Sequence, residues 1–171
     1  PNTGKSTLFN ALTGLRQKTA NYPGVTVERH TGEIVLAGQP VTLVDLPGAY
    51  SLAAQSPDEM VAIDVLLGHV TDLPRPRAVL AVVDATNLRR NLFLVTQLAE
   101  LGLPLVVALN VSDVAESRGI RIDTAELGRQ LGATVVRVSA ARETGLPELR
   151  AALEQAIAAP APPAPRVLPE V

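Results

Sequence analysis

The 171 residues carry 15 basic and 17 acidic side chains, a net charge of −2, with 47% hydrophobic and 2% aromatic residues and no cysteine. A hydrophobic share of that size excludes a disordered chain, and so few rings exclude a stacking platform for single-stranded nucleic acid. The slight acidic balance argues against a broad basic face for DNA or RNA. Without cysteine, thiolate nucleophiles, zinc–thiolate sites and disulfides are ruled out. His30 and His69 stand apart in the sequence and make no His-rich metal site. No stretch approaches the ~20 apolar residues of a membrane span, and the opening Pro1-Asn2-Thr3-Gly4-Lys5 does not read as a signal peptide. The expectation is a soluble module of one domain, which can still be part of a larger membrane protein.

Apolar runs alternate with helical periods, which is how an α/β fold reads: a mostly parallel sheet with helices on both faces. Lys5–Thr13 is expected to be a helix closed by Gly14, and residues 15–32, without a clear period, a long functional loop. Residues 33–37 and 41–46 read as an antiparallel hairpin around Gly38-Gln39. Ser56-Pro57-Asp58-Glu59 is a capping box that starts a helix running to about Leu67. Residues 78–83 and 103–109 are continuous apolar runs of buried-strand length, and between them 91–101 has a helical period closed by Gly102. Asp123 with Glu126 starts a helix through Leu131, 134–138 is a strand, and Leu146, Leu149, Leu153 and Ile157 share one face of a last helix. From Pro160 the proline content blocks regular structure. The expected division is a nucleotide-binding domain over 1–159 and an extended linker over 160–171.

Four short motifs carry the chemistry. Gly4-Lys5-Ser6-Thr7 opens the first helix, where a loop of the form G-x-x-x-x-G-K-[ST] holds phosphates on backbone N–H groups. Lys5 would place its charge on the β- and γ-phosphates and Ser6 would offer its hydroxyl to Mg²⁺. The first glycine of that pattern, and the strand before it, fall ahead of Pro1, so the tetrapeptide alone is equally an ordinary helix start. Asp45-Leu46-Pro47-Gly48 closes a strand as a D-x-x-G. Asp45 can hold Mg²⁺ through water and the Gly48 N–H can meet a γ-phosphate; taken alone, it is also a common turn. In Asn110-Val111-Ser112-Asp113 the carboxylate can accept both the N1–H and the 2-amino group of guanine, neither of which adenine offers. Asn110 would tie this loop to the phosphate loop, although Asn and Asp also cap ordinary loops. Ser139-Ala140, weak by itself, places a backbone N–H where guanine O6 would lie. Each motif follows a strand or opens a helix in the order an α/β nucleotide site requires, at the carboxyl ends of the sheet. Together they imply a guanine nucleotide.

The stretches PNTGKSTLFNALTG, NYPGVTVERHTGE, VTLVDLPGAYSL, VVDATNLRRNLFLVTQLAELGLPLVVALNVSD and VSAARETG resemble the cytosolic G domain of the ferrous-iron transport protein B family, over nearly everything before the linker. The resemblance implies a Ras-like P-loop NTPase fold of which this chain lacks the first strand. It implies nucleotide contacts from Asn2, Thr3, Gly4, Lys5, Ser6 and Thr7, from Gly24, Val25 and Thr26 in switch I, from Asp45, Leu46, Pro47 and Gly48 in switch II, and from Asn110, Asp113, Ser139 and Ala140. Lys5, Thr26 and Gly48 would be catalytic; Ser6, Thr26 and Asp45 would hold Mg²⁺; Asn2 would help ligate K⁺ beside the phosphates. Ala49 stands where Ras-like GTPases carry a water-orienting glutamine, so hydrolysis of GTP to GDP is expected to be slow and K⁺-stimulated. Arg16, Lys18 and Arg29 read as solvated loop charges. The implied partner is a membrane-embedded permease part of the same polypeptide, with possible oligomerisation through it, at the cytoplasmic face of the bacterial inner membrane. Iron transport comes wholly from the resemblance, because no set of residues here is a credible iron site. Two other readings share the nucleotide chemistry. A free-standing GTPase of ribosome or tRNA maturation is disfavoured by the acidic balance. An ATP-using P-loop enzyme is opposed by Asn110 and Asp113.

Overall fold

Apolar runs and tight turns sort the chain into two three-stranded sheets that share one helical packing. The computed structural model describes residues 3–49, 51–53 and 56–160. Helix α1 (Lys5–Thr13) leads into an antiparallel meander of β1 (Gln17–Asn21), β2 (Glu28–Leu36) and β3 (Gln39–Asp45). Then come α2 (Pro57–Leu67), β4 (Val79–Asp84), α3 (Leu88–Glu100), β5 (Leu105–Asn110), α4 (Ser112–Ser117), α5 (Thr124–Leu131), β6 (Thr134–Arg137) and α6 (Leu146–Ala158). Strands β4, β5 and β6 pair in parallel with β5 in the middle. Strands β4, β5 and β6 are joined to one another by helical crossovers, which parallel pairing requires, whereas β1–β3 are joined to one another by short connections that reverse the chain.

All six residues of β5 are buried. Their alternation sends Val106 and Ala108 to one face, against Leu8 and Leu12 of α1 and Leu149, Ala152 and Leu153 of α6. Leu105, Val107 and Leu109 go to the other, against Leu66 of α2 and Val95 and Leu98 of α3. Each such fully buried side chain contributes about 1.5–3 kcal/mol. Ile34 and Leu36 of β2 join the α1–α6 cluster, so this core holds the two sheets together. Among the described residues no strand is hydrogen-bonded to both sheets.

The expected caps are present: Ser56 Oγ accepts from the Glu59 N–H at 3.3 Å, and Asp123 Oδ1 from the Glu126 N–H at 3.0 Å. Gly68 closes α2 after Leu67. The hairpin turns one residue earlier than expected, with Ala37 (φ 48°) and Gly38 (φ 75°) between the paired Leu36 and Gln39. Positive φ at both central residues matches the twist of the strands. The Ala37 N–H donates to Glu154 Oε1 of α6 at 2.7 Å, which pins this turn.

The long loop expected over 15–32 is corrected by the structure. Residues 17–21 form β1, paired from Gln17↔Gly32 to Asn21↔Glu28, and β2 starts at Glu28. Every residue of β1 is exposed, so it carries no alternation that a sequence reading can detect; backbone pairing holds it, with Gln17 Nε2 donating to Asn10 Oδ1 at 2.8 Å and to Thr13 Oγ1 at 2.9 Å. The irregular connection shrinks to residues 22–27. Helix α4, only six residues long, had no cap signal either, since Val111 before it makes no side-chain cap. Within 160–171, only Pro160 lies among the described residues, so the expected linker falls outside them apart from that residue.

Candidate functional site

Among the described residues, four of the five buried polar residues mark one end of the molecule, the fifth being Thr13 at the far end of α1. Thr3, Asn110, Ser112 and Ser139 are buried, and all four sit at the carboxyl ends of β5 and β6 or the start of α1. Asn110 ends β5 with 3% of its surface exposed. Its Nδ2 donates to the Thr3 carbonyl at 2.8 Å and its Oδ1 accepts from the Ala140 N–H at 2.9 Å. One amide thereby joins the G-K-S-T loop, the N-x-x-D loop and the Ser139-Ala140 loop. The approach is so close that a Cβ at Gly4, where φ is +77°, would lie 2.3 Å from Asn110 Nδ2. Only glycine fits there.

Lys5 leaves the first turn of α1 and its Nζ bonds Asp45 Oδ1 at 2.5 Å and the Leu46 carbonyl. The D-x-x-G and G-K-S-T motifs are therefore in direct contact, a charge-assisted pair at the half-buried mouth of the site. Ser6, Thr7 and Gly48 are exposed beside it in the chain.

The Asn110–Asp113 loop is held under local strain. Val111 takes φ 61°, a left-handed conformation that a β-branched residue rarely adopts. It persists because Ser112 is anchored on both sides, its N–H to the Val138 carbonyl at 3.2 Å and its hydroxyl to the Leu109 carbonyl at 2.6 Å. Asp113 then lies in the first turn of α4. The Ser139 hydroxyl bonded to its carboxylate, and next the Arg142 charge beside it, hold Asp113 below the usual carboxylate range against the opposing effect of burial. Arg142 Nε reaches Asp113 Oδ2 at 3.0 Å. Sequence reasoning did not single out Arg142; its one signal was a basic residue three positions after Ser139.

The Ser139-Ala140 backbone differs from expectation. Both N–H groups are engaged within the protein, Ser139 with the Thr144 carbonyl at 3.1 Å and Ala140 with Asn110. They hold Asn110 and close a turn rather than present free donors to a base.

Gly24, Val25 and Thr26 lie between the G-K-S-T and D-x-x-G segments in the chain, in a turn where the Tyr22 N–H donates to the Val27 carbonyl at 3.0 Å. With Asn21, Tyr22 and Pro57 they line an open cavity of about 580 Å³. Neither the phosphate loop nor Asp45 lines this cavity. Tyr22 instead anchors the turn, 2% exposed against Val61 and Val65 of α2. Burial pushes its phenol above the usual value, and its hydroxyl is buried without a partner among the described residues. Arg29, read as a solvated charge, is corrected: its guanidinium stands 5.7 Å from the Tyr22 ring centre and pairs with Asp72 at 2.6 Å. Neither contact had a sequence signal, because Asp72 lies beyond α2.

A wider cavity of about 760 Å³, lined by Pro104, Gly128, Arg129, Thr134 and Gln155 among others, opens at the amino ends of β5 and β6 and contains none of the motif residues. Among the described residues no group of three or more His, Asp or Glu is placed to hold a metal, and no helix is long and apolar enough to cross a membrane. Asn2 lies outside the described residues.

Against known proteins, residues 1–153 match the family model described as ferrous iron transport protein B. The Fe(2+) transporter FeoB of Legionella pneumophila is 46% identical over 157 residues, 90% of this chain, and that of Salmonella typhimurium 46% over 159 residues, 91% of it. The chain spans 20% of the length of either relative. Among solved structures, the cytosolic domain of the T. maritima FeoB iron transporter in a GDP form superposes with a TM-score of 0.86 at 38% identity, covering 94% of this chain and 61% of that one. Its GMPPNP form gives the same TM-score and identity, with 94% and 62% covered. The cytosolic domain of L. pneumophila FeoB gives 0.82 at 47% identity, with 91% and 60% covered. Likeness at this level gives the chain the α/β P-loop NTPase fold expected from its motifs.

Proposed function

The chain belongs to the ferrous iron transport protein B family, and on that premise we propose that it is the GTP-binding, slowly GTP-hydrolysing regulatory part of a bacterial ferrous-iron membrane transporter. The observation that carries the reading is the Asn110 amide, which bonds the phosphate loop at Thr3 and the Ser139-Ala140 loop at once and so joins three of the four motifs, the fourth being tied in by the Lys5–Asp45 pair. The solved relatives in GDP and GMPPNP forms support the choice of ligand.

In this reading Lys5 exchanges Asp45 for the β- and γ-phosphates, and the Gly48 N–H meets the γ-phosphate. Asp113, an anion at neutral pH, accepts the guanine N1–H and 2-amino group. Mg²⁺ prefers one or two carboxylates together with substrate phosphates. The exposed Ser6 hydroxyl and the Asp45 carboxylate beside Lys5 fit that donor set and would hold the ion, which neutralises phosphate charge when bound. Thr26 would join them from the 22–27 turn. K⁺ held by Asn2 would add positive charge at the phosphates, and Ala49, with only a methyl group, leaves water to be positioned by the switch I backbone. The membrane-embedded part of the same polypeptide is the partner, and the site would face the cytoplasm. Whether the copies meet through that part is an expectation of the same reading.

Competition against a fluorescent GDP analogue tests it. GTP is expected to displace the analogue and ATP to leave it bound; equal displacement by ATP breaks the guanine assignment. In single-turnover assays hydrolysis is expected to be faster in KCl than in NaCl, with the difference lost in Asn2→Ala.

A further inference from the structure

We propose that Arg142 is a positioning residue for nucleotide exchange, because its guanidinium takes the carboxylate of Asp113 that guanine must take, and the two pairings exclude each other. Guanine offers that carboxylate two adjacent N–H donors in one plane, and a guanidinium offers the same fork. In the structure Arg142 Nε lies 3.0 Å from Asp113 Oδ2. The side chain of Arg142 is 71% exposed and that of Asp113 20%, so the arginine reaches the acid from the solvent side and nothing around it prevents its swinging out.

The main chain beneath it is held. The Ser139 and Thr144 N–H groups each donate to the other's carbonyl at 3.1 Å, and the Arg142 N–H donates to the Ser139 carbonyl at 3.2 Å. At the end of this turn a Cβ on Gly145, where φ is +76°, would sit 2.1 Å from the Arg137 carbonyl oxygen, which fixes where the turn leaves β6. Asn110 bonds the same turn through the Ala140 N–H and lies three residues before Asp113. Acid and base are thus presented by two loops joined through one buried amide, and only the Arg142 side chain has to move. The protein then holds an internal competitor for its own base-recognition group. Its apparent affinity for nucleotide is lower than the intrinsic one by the fraction of molecules in which Arg142 is turned away. For an exposed ion pair that fraction corresponds to about a two- to fivefold effect.

The proposal rests on the guanine-nucleotide reading above, and its test separates the two. Equilibrium binding of fluorescent GDP and of inosine diphosphate, which lacks the 2-amino group, is measured for wild type, Arg142→Ala and Arg142→Lys. Arg142→Ala is expected to bind both nucleotides about two- to fivefold more tightly, by the same factor, with Arg142→Lys in between. That advantage shrinks when salt rises from about 0.05 to 0.5 M, because salt screens the ion pair being removed. In an Asp113→Asn background, probed with xanthosine diphosphate, whose 2-oxo group replaces the amino donor, Arg142→Ala is expected to change nothing. Unchanged or weaker GDP binding by Arg142→Ala overturns the role of Arg142 alone, as does a changed ratio of GDP to inosine diphosphate, which means that the side chain reads the base itself. Failure of wild type to bind GDP at all overturns the guanine reading and this proposal with it.

Discussion

The two halves of the candidate site are built differently. At the base end, Asn110, Ser112 and Ser139 are buried, bonded on more than one side and attached to β5 or to the end of β6. At the proposed switch end, the 22–27 turn is exposed apart from Tyr22 and the half-buried Val27, and its anchor packs against Val61 and Val65 of α2. A base is recognised by a fixed shape, so its partners profit from burial and satisfied bonds. A γ-phosphate has to be sensed by a segment that can change partners, and such segments belong to the less stable part of a fold. Under the proposed function, the difference teaches that recognition and switching are divided between a hydrogen-bonded strand end and a turn held by one aromatic side chain.

The contrast can be broken from either side. Tyr22→Ala removes the anchor and is expected to cost about 3–5 kcal/mol in urea unfolding, while leaving GDP affinity nearly unchanged; a comparable loss of GDP affinity shows that the halves are not independent. Asn110→Ala leaves the Thr3 carbonyl and the Ala140 N–H without their partner. About 2–4 kcal/mol of stability should be lost, and here GDP binding falls as well.

The smallest effect sharpens the comparison. Tyr22→Phe deletes a buried hydroxyl that has no partner among the described residues, so stability near neutral pH should stay level or rise by up to about 1 kcal/mol. Because the folded phenol titrates above its ordinary value of 10.0, wild type and variant run parallel below that pH. As pH rises through 10.0 the unfolded wild type ionises first, and wild type loses stability that Tyr22→Phe retains. Parallel curves at pH 11 contradict a buried, neutral Tyr22.

Much of this was legible in the residues themselves. β5 announced itself as a continuous apolar run, α2 and α5 by their capping boxes, α1 by Gly14 at its close, and the site by G-K-S-T, D-x-x-G and N-x-x-D in order. β1 was not legible, because a strand exposed along its whole length has no side-chain period. Arg29 was misread as solvated because its partner Asp72 is 43 residues away. Arg142 was passed over because the motif gives Asp113 a ligand but says nothing of a protein group that reaches it first.

The sequence by itself determined the order of the parallel strands and of the helices other than α4, the four motifs, the chemistry each side chain can perform and the family resemblance, since all of these are properties of local pattern and residue type. Only the tertiary structure decided which groups touch: that Asn110 joins three loops, that Lys5 pairs with Asp45 and Arg142 with Asp113, and that Tyr22 draws the switch turn onto α2. The physical reason is that hydrogen bonds and ion pairs between distant segments depend on how helices and sheets pack, and no spacing along the chain encodes that distance.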